Sequence, residues 1–258
     1  MALIGTLEDM GTTWKLYPLA NDLGEQVGAG DVLLPDPGAA VCPHSIYTRQ
    51  PARLRIPAHY HDNAQFQIFA SGSAMFGVKP IRPVTIHYAT HQTGYGPIVS
   101  GDDGLGYITG RLHAEFGAHY ADRPEERARM NPAIPRRQLT QVMGSMTSEA
   151  LRALREPRVE TALAAEPGGL AAWLVRLPPG GELVAPEHPG GAGRFCVVTQ
   201  GTIEASKRTG DACTSVWIDA NESFTLRAGE QGLEAAVCQF PRDALPRAEQ
   251  FGTADAVP

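Results

Sequence analysis

The chain has 258 residues, of which 43% are hydrophobic and 19% charged, and its formal net charge is −6 at pH 7. This is the composition of an ordinary globular protein, and the acidic balance argues against a dedicated nucleic-acid-binding protein. No apolar run is long enough to span a bilayer, and the N-terminus becomes acidic at Glu8 without a basic segment, so no signal peptide is predicted and a cytoplasmic location is expected.

The N-terminal half is rich in predicted β-strands. Residues 14–19 predict a short edge strand ended by Pro18, and residues 45–56 predict a second strand. Residues 65–70 alternate polar and apolar side chains, which is typical of a strand between two environments. Residues 71–73 predict a turn, with residues 74–78 as the partner strand of a hairpin, and residues 83–88 and 105–112 predict further strands.

His59 and His61 are the most informative pair in this half. Histidines at positions i and i+2 of a strand project from the same face of a sheet, because side chains alternate with period 2. Two imidazoles that converge on one point suit a transition-metal ion. Seven of the eight histidines lie at or before His119, which favours a site in this half of the chain.

The middle of the chain changes character. Residues 123–130 and 147–155 predict two short charged helices. The first has Pro124 in its first turn, and Thr147 or Ser148 is the predicted N-cap of the second. The simplest interpretation of this segment is a linker with solvated helices.

The C-terminal half returns to predicted strands, at residues 170–177, 195–204, 222–229 and 233–240. Residues 194–205 match residues 65–76 as a strand, a glycine turn and a strand, and the pairs Gly104-Leu105 and Gly232-Leu233 open the last strand of each half. This repeat predicts a duplicated domain. The four cysteines (Cys42, Cys196, Cys213 and Cys238) are widely spaced and predict buried free thiols.

The region around His59 resembles the first motif of the cupin superfamily, which is His-x-His, three or four residues, glutamate, six residues and glycine. Here His59, His61, Gln65 and Gly72 occupy these positions, so glutamine replaces glutamate, and Arg53 stands where the family has a glycine. The second cupin motif ends in a histidine. His91 is the best match, although the usual Pro-x-Gly is absent, and His87 is the reserve candidate.

The resemblance implies an all-β fold of two cupin barrels (double-stranded β-helix, or jelly roll) joined by a short helical linker. The expected domains are an N-terminal extension (1–39), a metal-binding barrel (40–120), a partly helical linker (121–166), a second barrel without metal (167–245) and a tail (246–258). In the second barrel Glu187 and His188 stand where His-x-His belongs, and Arg194 stands at the glutamate position. A guanidinium there would repel a metal ion, so this barrel is interpreted as structural or as a dimerisation unit of a homodimer.

The resemblance also implies a metal site formed by His59, His61, Gln65 and His91, with one divalent ion (Fe, Zn, Ni or Cu) per chain. Gln67, His87 and Tyr95 are substrate-pocket candidates, and no catalytic residue is assigned. His44, His113 and His119 are interpreted as surface or hydrogen-bonding residues, and Arg111 and Glu115 as a solvated strand face or a domain interface.

These assignments favour a metal-dependent dioxygenase-type oxidoreductase acting on a small oxygenated molecule, with no nucleic-acid or membrane partner. Two alternatives stay open at this point. They are a metal-dependent isomerase or lyase, for which no carboxylate base with matching strand parity is evident, and a non-catalytic small-molecule-binding or structural bicupin. A first barrel filled by Phe66, Phe69 and Phe76 would favour the structural alternative.

Overall fold

The computed structural model describes residues 2–19, 24–39, 41–115, 117–205 and 208–245, so Phe116 and the predicted tail (246–258) lie outside the described residues. The first half contains strands β1 (Leu3–Gly5), β2 (Lys15–Pro18), β3 (Gln26–Leu33), β4 (His44–Gln50), β5 (Arg55–Ile56), β6 (His59–Tyr60), β7 (Gln65–Phe76), β8 (Lys79–Ile81), β9 (Val84–Ala89), β10 (Ile98–Arg111) and β11 (His119–Tyr120). The second half contains helix α1 (Pro124–Ala128), strand β12 (Gln138–Gly144), helix α2 (Ser148–Arg152) and strands β13 (Arg158–Leu163), β14 (Ala171–Leu177), β15 (Glu182–Val184), β16 (Gly191–Ala205), β17 (Arg208–Gly210), β18 (Ser215–Ile218) and β19 (Thr225–Pro241). Short 3-10 helices span Leu7–Thr13 and Arg242–Ala244.

The strands form two large antiparallel sheets, one for each barrel. The first sheet has the order β12-β9-β7-β10-β4-β3-β2, with β8 beside β7 and β5 beside β10. The second has the order β1-β18-β16-β19-β14-β13, with β17 beside β16 and β15 beside β19. The all-β architecture of two jelly-roll barrels that the resemblance implied is confirmed.

Strands β7 and β16 are each continuous through the glycine that the sequence marks as a turn. Gly72 has a φ of 73°, and a Cβ on it would lie 2.1 Å from the carbonyl oxygen of Gly104. Gly201 has a φ of 74° and the same separation from the carbonyl oxygen of Gly232. Each glycine lets one strand approach its neighbour closely and bend without reversing. The predicted hairpin turn at residues 71–73 is therefore wrong, and the chain reverses at Gly77 instead.

The two faces of β7 enter different cores, because side chains alternate along a strand. Phe66 and Ile68 belong to a core between the barrels, together with Phe195 and Phe240 of the second barrel. Phe69 belongs to the separate core inside the first barrel. Gln65 and Gln67 share the parity of Phe69, so they also project into the first barrel. They lie above its floor, the apolar layer that includes Phe69 and Phe76.

Residues 121–166, predicted as a partly helical linker, contain two strands as well as two helices. β12 pairs with β9 of the first barrel, and β13 pairs with β14 of the second. The predicted N-cap of α2 is present, since the side chain of Thr147 accepts a hydrogen bond from the backbone nitrogen of Ala150 at 3.1 Å. The N-terminal segment also joins both sheets, because β1 pairs with β18 and β3 pairs with β4.

Two further sequence expectations concern cysteines and membranes. Cys42, Cys196, Cys213 and Cys238 are buried and carry free thiols, as predicted. Among the described residues, no helix has the length and apolar character needed to cross a membrane.

Candidate functional site in the first barrel

Two short strands position the histidine pair. β6 pairs with β11, and the backbones of His59 and Tyr95 exchange hydrogen bonds at 3.1 and 3.0 Å. The rings of His59 and His61 lie on the same side of the chain, with centroids 5.5 Å apart, as the alternation predicted. Tyr60 points the other way, where its hydroxyl donates to the backbone oxygen of Glu126 at 2.7 Å.

His87 faces the same interior from the neighbouring strand. It is the direct cross-strand partner of Gln67, with β9 and β7 side by side. The ring of Tyr95 lies among the histidines, with its centroid 4.6 Å from that of His59, 5.2 Å from that of His87 and 6.4 Å from that of His61. Three predicted metal ligands (His59, His61 and Gln65) and one pocket candidate (His87) thus meet around the side chain of a second pocket candidate, Tyr95.

Each of the three interior histidines is oriented through its Nδ1 atom. Nδ1 of His59 lies 2.8 Å from the backbone oxygen of Pro57, and Nδ1 of His87 lies 2.8 Å from Oγ1 of Thr140 on β12. Nδ1 of His61 lies 3.1 Å from Oε1 of Glu115. These contacts fix the rings and leave Nε2 of each ring for another partner, which is the usual arrangement of metal-binding histidines.

Burial keeps these imidazoles neutral. Desolvation lowers the pKa of His59 and of His87 to about 3, and the charge of His61 contributes to the shift at His59. Desolvation also lowers the pKa of His61, with the nearby Arg111 guanidinium as the next cause. A neutral imidazole has a lone pair available, whereas a protonated one has none.

On the adjacent strands β7 and β9, two buried side-chain atoms have no hydrogen-bond partner among the described residues. They are Nε2 of His87 and Oε1 of Gln67. Leaving a buried polar atom without a hydrogen bond costs about 1–3 kcal/mol. Two such atoms side by side are therefore uncommon unless a bound ligand interacts with them. A cation or a hydrogen-bond donor placed between these two atoms would satisfy both.

Arg111 and Glu115 form a buried network that the sequence interpretation missed. Arg111 is 3% exposed, and its Nε donates to Oε1 of Gln65 at 3.0 Å while Nη1 donates to the backbone oxygen of Glu115 at 2.8 Å. Its Nη2 lies 3.0 Å from Nδ1 of His61. The interpretation of Arg111 and Glu115 as a solvated face is wrong, because Arg111 is the cross-strand partner of Gln65 and shares its inward parity.

The Glu115 carboxylate is ionised. Burial raises its pKa, but the Arg111 charge and the hydrogen bonds from His61 and Asn63 outweigh burial and hold the pKa well below its ordinary value. The backbone nitrogens of Asp62 and Asn63 and the side chain of Asn63 also donate to it, at 2.8–3.0 Å. With all these donors in place, Glu115 positions His61 and the His-x-His loop, and it has little capacity left to act as a base.

Gln65 faces the barrel interior, as the motif implies, whereas His91 does not join the interior histidines. The amide of Gln65 is engaged at both ends, since its oxygen accepts from Arg111 and its nitrogen donates to the hydroxyl of Tyr95 at 2.5 Å. His91 lies in the turn after β9, with Nδ1 3.0 Å from the backbone oxygen of Asp62 and Nε2 3.4 Å from that of Asp243. The structure therefore brings His59 and His61 together with His87, and it places His91 outside this group.

A cavity of roughly 320 Å³ opens beside these residues. Apolar side chains of β2 and β3 form one wall, and His59, His61, Gln67 and Arg111 form part of the other. Asp31 also lines it, with Oδ1 2.8 Å from Nε2 of the fully buried His44. Phe69 and Phe76 fill the floor of the barrel while Phe66 faces the second barrel, so the aromatic side chains leave this space open.

The side chains that could bind a metal ion are too far apart to form a metal centre without rearrangement. Within residues 2–19, 24–39, 41–115, 117–205 and 208–245, no group of three or more His, Cys, Asp or Glu side chains is arranged to hold a metal ion. The Tyr95 ring, which lies among the three imidazoles, accounts for their separation. The donor chemistry nevertheless fits a metal, because neutral imidazoles with fixed Nδ1 atoms and an unpaired amide oxygen are ligands for divalent transition metals.

The sequence and the structure were compared with those of known proteins, and only solved structures were similar. No family model and no curated protein matches the sequence. A candidate dioxygenase from Nostoc punctiforme is 11% identical, and the match covers 96% of this chain and 81% of that chain with a TM-score of 0.57. The pirin YhhW of Escherichia coli, solved in complex with nickel(II), is 10% identical over 93% of this chain and 99% of its own, with a TM-score of 0.56.

A third similar structure is the oxalate decarboxylase of Lactobacillus farciminis, solved as a formate complex. It is 13% identical over 93% of this chain and 86% of that chain, with a TM-score of 0.59. The fold is the cupin fold. At this level of identity the likeness concerns the fold alone, and cupin barrels support many different chemistries.

The sequence analysis named His87 as the reserve candidate, and the local composition could have ranked it above His91. His87 lies inside the predicted strand at residues 83–88, whereas Thr90-His91-Gln92-Thr93 has the composition of a turn. Tyr107, Thr109 and Arg111 likewise alternate along β10, opposite Gln65 and Gln67. This alternation was the available signal that Arg111 faces the interior of the cupin barrel.

Proposed function

We propose that the first cupin barrel is a metal-dependent enzyme site for a small oxygenated organic molecule. His59, His61 and His87 would supply imidazole nitrogens to one divalent transition-metal ion, and Oε1 of Gln67 would supply an oxygen. The observation that carries the proposal is the adjacent pair of unpartnered buried acceptors, Nε2 of His87 and Oε1 of Gln67. Since Tyr95 lies among the imidazoles, we expect its side chain to move when the ion binds.

The proposed ligands differ from those that the motif implies. Gln65 is better suited to hold Tyr95 and Arg111 than to bind an ion, because both ends of its amide are engaged. His91 faces backbone oxygens at the rim. His87 and Gln67 take their places in the proposed set because their free atoms are buried and adjacent.

Neutral donors would leave a divalent ion its full charge, and such an ion supplies Lewis acidity or, in the case of iron, dioxygen chemistry. Arg111 lines the cavity and is the fixed cation of the site, so it would orient an anionic oxygen of the substrate. Desolvation raises the pKa of Tyr95, which keeps its hydroxyl protonated. Gln65 donates to that hydroxyl oxygen, so the Tyr95 proton is available to a substrate oxygen.

We favour a dioxygenase-type reaction, in which both atoms of O₂ are added to the substrate. Proton-transfer chemistry requires a base, and Glu115 is fully engaged as an acceptor. An isomerase or lyase is the second candidate. It is favoured by Asp31, a carboxylate that lines the cavity and contacts His44.

Oxygen uptake tests the reaction type. The protein is loaded with Fe(II) and mixed with a panel of diketones, phenols and keto acids under ¹⁸O₂. We expect uptake with one substrate class and two ¹⁸O atoms in the product, and no uptake in the His87→Ala variant. Turnover without oxygen uptake that depends on Asp31 would favour the isomerase or lyase. Tight substrate binding without turnover with Fe, Zn, Ni or Cu would instead indicate a non-catalytic binding protein.

A further inference from the structure

The second cupin barrel contains a buried arginine at the position equivalent to Gln65. Arg194 is 1% exposed and is the cross-strand partner of Gln239. In the first barrel the same two positions carry Gln65 and Arg111, so the barrels hold the same pair of side chains in opposite order. Below Arg194, the interior of this barrel is filled by apolar residues such as Cys196, Val198 and Val237.

The guanidinium of Arg194 is only partly satisfied by the protein. Nη1 lies 2.9 Å from Oε2 of Glu187, and Nη2 donates to the backbone oxygen of Glu222 at 2.8 Å. Nε is buried without a hydrogen-bond partner. A buried charge with an unpaired N–H is costly, and arginine is well suited to bind carboxylates.

His188 presents a second free polar atom beside Arg194. Its backbone nitrogen and oxygen are both bound by the side chain of Gln239, at 2.9 and 2.8 Å. Its ring atom Nδ1 is buried and has no partner. Gln239 thus fixes the position of His188 while leaving the imidazole ring able to donate a hydrogen bond.

A cavity of roughly 110 Å³ lies between these groups and is lined by Arg194, His188, Glu187, Asn221 and Gln239. A water molecule takes about 30 Å³ in the liquid, so the cavity has room for roughly four non-hydrogen atoms. This is the size of a formate or acetate ion.

We propose that this cavity in the mouth of the second barrel binds a small carboxylate anion, held by Nε of Arg194 and the ring of His188. The carboxylate of Glu187 already pairs with the next nitrogen of the guanidinium, so this position accommodates a carboxylate. The side chain of Glu187 is 48% exposed, so it can move into solvent when an external carboxylate enters. The site is separate from the proposed metal site and does not depend on it.

Calorimetric titration with sodium acetate, at constant ionic strength set with sodium chloride, tests this inference. We expect one acetate per chain with a Kd on the order of 1 mM. The Glu187→Gln variant removes a competing carboxylate and is expected to bind acetate about threefold to tenfold more tightly. Glu182→Gln is the matched control, because Glu182 is 49% exposed and pairs with Arg227 elsewhere on the same barrel. Its affinity for acetate should equal that of the wild type.

Arg194→Gln and His188→Ala are each expected to weaken acetate binding about tenfold. If Arg194→Gln does not fold, His188→Ala still provides the test, because His188 is only partly buried. Sodium phosphate is the second probe, and a tetrahedral dianion should bind much more weakly than acetate. Absence of acetate binding in both the wild type and Glu187→Gln would overturn the inference. Equal affinities of the wild type and Glu187→Gln, or phosphate binding as tight as that of acetate, would also overturn it.

Discussion

Arg111 shows how one side chain organises the interior of the first barrel. Its three nitrogens contact Gln65, Glu115 and His61, so a single guanidinium links three strands or loops. A buried cation is tolerated when it is hydrogen-bonded and lies near a carboxylate, which here is Glu115, whose pKa the Arg111 charge lowers. The glutamine in place of the motif glutamate fits this arrangement, because its amide accepts from Arg111 and donates to Tyr95.

The buried histidines make the stability of the metal-free protein depend on pH. The unfolded chain binds protons at these histidines with a pKa near 6.5, whereas folded His59 and His87 bind them only near pH 3. Between these values the unfolded state binds more protons, so stability falls as pH falls, by at most about 1.4 kcal/mol per pH unit for each histidine.

Urea unfolding of chelator-treated protein between pH 6.5 and 5 measures this slope. We expect His87→Gln to lower the slope relative to the wild type, because the variant lacks one of the imidazoles that burial keeps neutral. A slope in the His87→Gln variant equal to that of the wild type would show that His87 is not held neutral by burial.

At the level of the element, the bent strands β7 and β16 shape the two barrels. Each crosses its partner strand at a glycine whose α-carbon faces a carbonyl oxygen of the neighbouring strand. A methyl group at Gly72 or Gly201 would clash with this oxygen unless the two strands moved apart. Because of these bends, each strand can pair with neighbours on both sides of its barrel. The bend in β7 also places Gln65 and Gln67 above the floor of the first barrel.

We expect Gly72→Ala and Gly201→Ala to destabilise the protein by more than about 3 kcal/mol, because backbone strain and a clash with backbone atoms add. Gly180→Ala is the matched control. Gly180 also has a positive φ, of 65°, but a Cβ on it would meet nothing within 4 Å. It should cost only about 1 kcal/mol. Equal losses in denaturant titrations of all three variants would contradict the close approach of the strands.

The alternation of polar and apolar residues predicted most of the strands and the shared face of His59 and His61. It did not reveal that Ser71-Gly72-Ser73 continues a strand, because a glycine between serines is locally indistinguishable from a turn. The partner that decides the matter, Gly104, lies far along the chain. Arg111 was misplaced for a similar reason, since its burial depends on Glu115 and on His61, which directly follows β6, about fifty residues before Arg111. Local pattern thus predicts elements, whereas long-range contacts decide which polar residues are buried.

At the level of the whole molecule, the two barrels share one core. Phe66 packs against Phe240 with ring centroids 4.9 Å apart, and Phe240 lies 6.2 Å from Phe195. The hydroxyls of Ser45 and Ser215 also form a buried hydrogen bond across the two sheets, at 2.6 Å. Strand β1 further ties the two halves together, because it precedes the first barrel in the chain and pairs with β18 of the second.

Because of this shared core, we expect both barrels to unfold in one transition. Hydrogen exchange of peptides from β7 and β16 should report the same midpoint in urea. Phe240→Ala removes a fully buried ring and should destabilise both sets of peptides, by about 3–5 kcal/mol. Loss of protection in β16 alone, with β7 unchanged, would contradict the shared core.

Equilibrium binding of Zn(II), Ni(II) and Fe(II) to the wild type, His87→Ala and His91→Ala tests the proposed metal site most directly. We expect one ion per wild-type chain, at least tenfold weaker binding in His87→Ala, and affinity within about twofold of the wild type in His91→Ala. Absence of stoichiometric binding by the wild type, or loss of binding in His91→Ala with full binding in His87→Ala, would contradict the assignment of the ion to the three interior imidazoles.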